Sequence, residues 1–176
     1  MKHFTDALHP DAGIPIAVLP FIRYANEMLQ QAYDDKWVPD TPNSKNCSGF
    51  LKSAGRRLGF NLPDGRGDDI LAALEQSPDW ESLGKGNEAL KKAIDYVKAR
   101  RLVVVGATAH DYGQHRGHVA ILLPKFGPNH APLVYCGSEG GAASKGTKTI
   151  REVWRASKHD ILRYFLHRTA TLRGYE

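Results

Sequence analysis

Apolar residues recur every three or four positions in four stretches of the chain. Phe21, Ile22, Ala25, Met28, Leu29 and Ala32 predict an amphipathic helix from about Val18 to Lys36. Phe50, Leu51, Ala54 and Leu58 predict a second from Cys47, entered through the turn-prone Thr41-Pro-Asn-Ser-Lys-Asn46 and stopped by Gly59. Ile70, Leu71 and Leu74 predict a third from about Asp68 to Gln76, and Leu90, Ile94 and Val97 a fourth from about Asn87 to Arg100. The period then changes. Leu102-Val-Val-Val-Gly-Ala107, Gly117-His-Val-Ala-Ile-Leu-Leu123, Leu133-Val-Tyr-Cys136 and Ile161-Leu-Arg-Tyr-Phe-Leu-His167 read as strands, the second ended by Pro124. Thr149-Ile-Arg-Glu152 has the form of a capping box for a short helix through Trp154.

Between these elements lie an irregular arm over residues 1–16 and a loop over Phe60–Gly67. A connection holding Trp80, Gly84 and Gly86, a polar loop over Thr108–Arg116 and a glycine-rich loop over Gly137–Gly146 complete the chain. Helices first and strands later, with short loops between the strands, predict one α+β domain, residues 1–176, with N-terminal helices packed on an antiparallel sheet.

Composition narrows the class. Hydrophobic residues make up 41% and charged residues 24% of 176, which is globular, and no apolar run approaches the roughly 20 residues of a membrane span. The N-terminus lacks the apolar core of a secretory signal, so general secretion is not expected. A net charge of +5 admits nucleic acid, an anionic surface or an acidic polymer as partner. The densest basic spots, Arg56-Arg57 and Lys98-Ala-Arg-Arg101, fall at helix ends, where cations complement the dipole. No RNA-binding or zinc-finger signature accompanies them. The glycine-rich loop lacks phosphate-cradle spacing, and neither a cofactor nor a metal is expected.

Two cysteines make no disulfide framework and no zinc cluster, although Cys47 and Cys136 could pair with each other. Cys47 opens a helix, where unpaired N–H groups and the positive dipole end favour a thiolate and can hold a developing oxyanion. Its alternative is an ordinary small core residue. A cysteine nucleophile needs a base. Of eight histidines, His118 stands out because it sits second in an apolar strand, where an imidazole must be justified by a partner; its alternative is a structural, hydrogen-bonded histidine. Gly117 beside it would let another segment come close. A helix cysteine followed by a strand histidine is the papain-like order. Asn46, Ser48 and Gly49 are read as shaping the cysteine turn, Asp68-Asp69 as helix caps, and Trp37, Trp80 and Trp154 as core or groove lining. His110 and His115 predict no zinc site.

Thr41-Pro-Asn-Ser-Lys-Asn-Cys-Ser-Gly-Phe50, Gly117-His-Val-Ala120, Tyr135-Cys-Gly-Ser138 and Val153-Trp154 together resemble, in order, the type VI secretion amidase effectors of the first family. The similarity runs from about Trp37 to Tyr164. The arm and the region Leu83–Gln114 match poorly, the latter like an insertion before the histidine strand. The resemblance implies an NlpC-like, papain-related fold and hydrolysis of a stem-peptide amide of peptidoglycan, between D-glutamate and meso-diaminopimelate. It also implies delivery by the type VI secretion machinery into a target cell's periplasm, and a cognate immunity protein. Nucleic acid and membrane insertion are not expected. Cys47 and His118 take the catalytic positions. By analogy the group that orients the imidazole lies on the following strand, as the backbone carbonyl of Cys136 or the side chain of Ser138; Asn129, His130 and Asp111 are weaker options. Competing functions are a cysteine amidase or acyltransferase on another substrate, and a non-catalytic basic binding module.

Overall fold

The computed structural model describes residues 24–138 and 142–175, so the N-terminal arm and residues 18–23 of the first expected helix, with Phe21 and Ile22, lie outside the described residues. The described chain runs α1 (Tyr24–Asp34), α2 (Cys47–Leu58), α3 (Gly67–Gln76), β1 (Trp80–Lys85), α4 (Gly86–Lys98), β2 (Arg101–Ala107) and a one-turn α5 (Ala109–Tyr112). It continues with β3 (His118–Phe126), β4 (Pro132–Cys136), β5 (Ser144–Thr149), a short α6 (Ile150–Val153) and β6 (Arg163–Thr171). The strands form one six-stranded sheet in the order β1-β6-β2-β3-β4-β5. Every neighbouring pair is antiparallel. An α+β fold with an antiparallel sheet is therefore as the apolar pattern predicts.

Alternation along the strands explains the layers. Val104, Val119, Ile121, Leu123, Tyr135 and Phe165 point to one face, where they pack with Leu29, Phe50, Leu51, Ile70 and Leu71 of α1 to α3. Val103, Val105, Ala120, Leu122, Val134, Tyr164 and Leu166 point to the other, against Ala89, Ala93 and Val97 of α4 and Trp154. Buried on both faces, β2 and β3 read as unbroken apolar runs, which is why both are visible in the sequence.

Four details differ from expectation. β1 and β5 fall largely in stretches expected to be loops; both are edge strands, six residues each, with polar or glycine positions, and the partner of β1 is distant in sequence. Trp80 pairs with His167, so no local pattern announces the strand. β3 does not stop at Pro124: it runs on to Phe126, where its register against β4 shifts between Leu122 and Phe126, so the proline occupies an irregularity that needs no ladder N–H. The loop over 108–116 holds the turn α5, capped by the Thr108 side chain accepting from the Asp111 N–H. Finally, the last strand, expected over Ile161–His167, runs over Arg163–Thr171 instead, while the region 83–114 supplies α4 and β2 as its own apolar pattern predicts, β2 lying between β6 and β3.

The basic spots go to the fold. Arg100 Nη1 donates to the Tyr175 carbonyl at 2.7 Å, and Arg101 Nη2 donates to the carbonyls of His167 and Arg168 at 3.1 and 2.6 Å. Arg57 pairs with Asp35 at 3.2 Å, while Arg56 lies 4.0 Å over the Trp37 ring.

Candidate active site

The start of α2 is fixed from three sides. Asn46 is the N-cap: its Oδ1 accepts from the Gly49 N–H at 2.9 Å, so Cys47 becomes the first helical residue. Asn43, fully buried, accepts from the Trp37 N–H at 3.0 Å and donates to the Ala32 carbonyl at 2.7 Å, tying the turn to the end of α1. Asp35 then accepts from Ser53 Oγ at 2.9 Å, joining α1 to the middle of α2. The third side is β4. The Ser138 N–H donates to the Ser44 carbonyl at 2.9 Å, and Gly137 comes so close that a Cβ there would lie 1.8 Å from the Asn43 carbonyl oxygen. Only glycine permits that approach.

This packing sets the Cys47 sulfur astride the beginning of β3. Its Sγ lies 4.0 Å from the Gly117 carbonyl oxygen and 3.9 Å from Ser48 Oγ. Burial pushes the thiol pKa up, opposed by the Val119 N–H, the Ser48 hydroxyl and the N–H groups of Ser48 and Cys47 itself. The helix start thus supplies donors as the sequence suggests, but desolvation outweighs them and favours the thiol over the thiolate.

His118 is the first residue of β3 and is 8% exposed. Burial lowers its pKa to about 4, so the imidazole is neutral at pH 7 and able to accept a proton. Its ring lies 5.0 Å from the Trp154 ring, centroid to centroid, at a tilt of 51°. Nε2 is buried and has no hydrogen-bond partner among the described residues. Of the expected orienting groups, Ser138 lines the same cavity as Cys47 and His118, whereas Cys136 lies fully buried in the sheet. Burial pushes the Cys136 thiol up to about 12, and its Sγ donates to the Ala142 carbonyl at 3.4 Å. Both cysteines are free thiols, so the pairing left open by their count is not made.

The weaker options fall away from the imidazole. Asn129 and His130 form a turn beyond the far end of β3, and Asp111 is held by Arg163 at 3.0 Å and Lys85 at 3.7 Å. Contact with these cations and the Thr108 cap outweighs desolvation, keeping the Asp111 carboxyl below its ordinary range. Among the described residues no group of three histidine, cysteine or acidic side chains could hold a metal.

Sequence reasoning missed the role of Asp68. The pattern predicts a helix cap, and Asp69 does take that role by accepting from the Arg66 N–H at 2.9 Å. Asp68 instead accepts from the Ala109 N–H at 2.7 Å and the Gly117 N–H at 3.0 Å. One carboxylate thereby brackets the segment that leads into His118. Close approach of two glycines makes room for it, since a Cβ on Gly67 would stand 2.7 Å from the Gly117 carbonyl oxygen. A doubled acid at a helix start was the available signal; its partners lie 41 and 49 residues away.

Cys47 and His118 open on a cavity of about 820 Å³. Trp37, Val38 and Thr41 line one side; Tyr112, Gln114 and His115 line the other. Lys45, Lys52, Arg66 and Arg116 also border it, and no acidic side chain does among the described residues. A half-buried thiol, a neutral imidazole and nearby N–H donors at the foot of a cationic cleft can perform acyl transfer on an anionic peptide.

No family model matches the chain. The chain is similar to the peptidoglycan amidase Tse1 of Pseudomonas aeruginosa, with 34% identity over 146 residues, covering 81% of this chain and 88% of that protein. With identity at this level over nearly the whole of both chains, and with Cys47 and His118 brought to one cavity, the protein belongs to the family of peptidoglycan amidases that its cysteine and histidine blocks resemble.

Proposed function

We propose that the protein is a peptidoglycan amidase that uses Cys47 as nucleophile and His118 as general base and acid. One observation carries this reading: the first residue of α2 and the first residue of β3, 71 positions apart in numbering, border the same cleft. Neutral His118 accepts the thiol proton as Cys47 Sγ bonds to the amide carbon. The N–H of Cys47 and a neighbouring donor hold the oxyanion. His118 then gives that proton to the departing amine as the C–N bond breaks, leaving a thioester. Water, deprotonated by His118, attacks the thioester, and the sulfur leaves as the carboxylic acid is released.

The substrate bond proposed is that between D-glutamate and meso-diaminopimelate. The Ser138 side chain or the Cys136 carbonyl is proposed to steady the imidazole in the substrate complex, and Ser138 is supported by its place on the cleft. The resemblance supports a role as a type VI secretion effector acting in a target periplasm and neutralised by an immunity protein. No helix among the described residues is long and apolar enough to cross a membrane. Incubation of the purified protein with isolated peptidoglycan, followed by mass analysis of the released muropeptides, tests the reading. New amino termini at diaminopimelate, absent with Cys47→Ala, are expected; an intact sacculus refutes the activity.

A further inference from the structure

Lys52 is the one feature of the cleft that neither the catalytic scheme nor the packing explains. It sits on α2, the helix of the nucleophile, and borders the same cavity, yet its residue is only 8% exposed. Nζ donates to the Gly65 carbonyl at 3.0 Å and lies 5.1 Å from the Trp37 ring centre. Both of those partners also line the cavity. No carboxylate among the described residues pairs with it. The lysine stem is buried, and the ammonium meets one carbonyl and one aromatic face at the cavity with no counter-ion among the described residues, which leaves its charge available to a bound anion. Arg66 and Lys45 on the rim add to the positive field of the cleft.

We infer that Lys52 is a specificity residue that receives a carboxylate of the substrate peptide, an inference that rests on the amidase reading of the same cleft. Its place on the helix limits which carboxylate it can reach. Five residues separate it from Cys47, about 7.5 Å of helical rise. An extended peptide covers about 3.3–3.6 Å per residue, so the carboxylate lies within two residues of the scissile amide. A bond between D-glutamate and diaminopimelate carries two such groups, the free α-carboxylate of the first and the side-chain carboxylate of the second. The Gly65 carbonyl and the Trp37 face hold the ammonium in place beforehand, which reduces the ordering cost on binding.

The test uses the full chain carrying Cys47→Ala, so that binding is measured without turnover. Three tetrapeptides of L-alanine, γ-linked D-glutamate, meso-diaminopimelate and D-alanine, each blocked as the C-terminal D-alaninamide so that no third carboxylate is in reach, are titrated by calorimetry: the free acid at both remaining carboxyl groups, the D-glutamate α-carboxamide and the diaminopimelate carboxamide. The free acid is expected to bind at least about tenfold more tightly than one of the amidated forms, the scale of a lost charge-assisted contact. Adding Lys52→Gln is expected to abolish the preference, and Lys52→Arg to keep it; thermal melts confirm that each variant folds. If Lys52→Gln does not fold, Lys52→Met takes its place, and retention by Lys52→Arg of the same preference remains required. Indifference of the Cys47→Ala protein to amidation, survival of the preference without the lysine charge, or no binding of any of the three peptides overturns the inference. A preference intact in binding beside wild-type protein that leaves peptidoglycan uncut supports Lys52 and overturns the hydrolytic reading alone.

Discussion

The wall that carries Cys47 and the wall that leads to His118 face one cleft but are held differently. On the cysteine side, Asn43 and Gly137 are buried, and backbone, side-chain and glycine contacts from α1, α2 and β4 converge on a single turn. On the histidine side, residues 113–116 are exposed; Asp68 braces the segment at Ala109 and Gly117, and Asp111 is held by Arg163 and Lys85. The chemistry explains the contrast. A nucleophile and its oxyanion donors must be placed within a fraction of an ångström, whereas a substrate wall works through charge and shape. Stability against local opening should therefore be higher around Cys47 than across 109–117.

The comparison is broken first at the nucleophile. Cys47→Ala is expected to reduce hydrolysis of isolated peptidoglycan by at least about 10³-fold with an unchanged melting temperature, and His118→Ala to do nearly the same. Muropeptide release by mass spectrometry and a thermal melt check both; activity close to wild type in either variant would remove the dyad.

Next in size is Gly137→Ala, which forces a Cβ to within 1.8 Å of the Asn43 carbonyl oxygen. A clash with backbone cannot be relieved by a rotamer change, so a loss of about 3 kcal/mol or more in denaturant unfolding is expected. A neutral substitution would show that the turn before Cys47 yields more readily than its contacts imply.

Acid adds a comparable effect on the opposite wall. His118 has a pKa near 6.5 when unfolded and about 4 when folded, so between these values the unfolded chain binds a proton that the native site refuses. Its contribution to stability is complete above about pH 6.5 and is lost as pH falls to about 4, a total of about 3 kcal/mol. Unfolding curves for wild type and His118→Gln should diverge in slope against pH in that window; parallel curves would mean that the imidazole is not buried neutral.

The smallest effect separates support from chemistry. Asp68→Ala is expected to lower kcat/KM about tenfold while leaving Cys47 as reactive as before toward a small thiol reagent, because only the approach to His118 loosens. Asp68→Asn retains an acceptor and should recover part of the loss. Equal loss of thiol reactivity would show that the two walls are not independent.

Much of this was legible in the chain. The turn-prone entry to Cys47, the Gly59 stop, the Thr149–Glu152 box and the apolar runs of β2 and β3 are local signals, and each formed the element it announced, although which oxygen caps α2 was left for the structure to decide. The two edge strands were not legible: Trp80–Lys85 and Ser144–Thr149 owe their extended form to β6 and β4, not to their own residues. Within the site, Cys47 and His118 could be chosen because a cysteine at a helix start and a histidine in an apolar strand are each out of place. Asp68 and Lys52 could not, because a doubled acid and a helical lysine look like ordinary surface residues.

By itself the sequence determined which stretches become helices and inner strands, though not where every strand ends, and that one thiol and one imidazole stand in settings that call for chemistry, since capping and burial patterns are properties of neighbouring residues. The tertiary structure decided the rest. It brought Cys47 to the mouth of β3, raised the thiol pKa and lowered the imidazole pKa by desolvation, clamped the His118 approach with Asp68 and set Lys52 on the wall of the cleft. Each of these depends on the distance between groups far apart in the chain, and on how much water their meeting excludes.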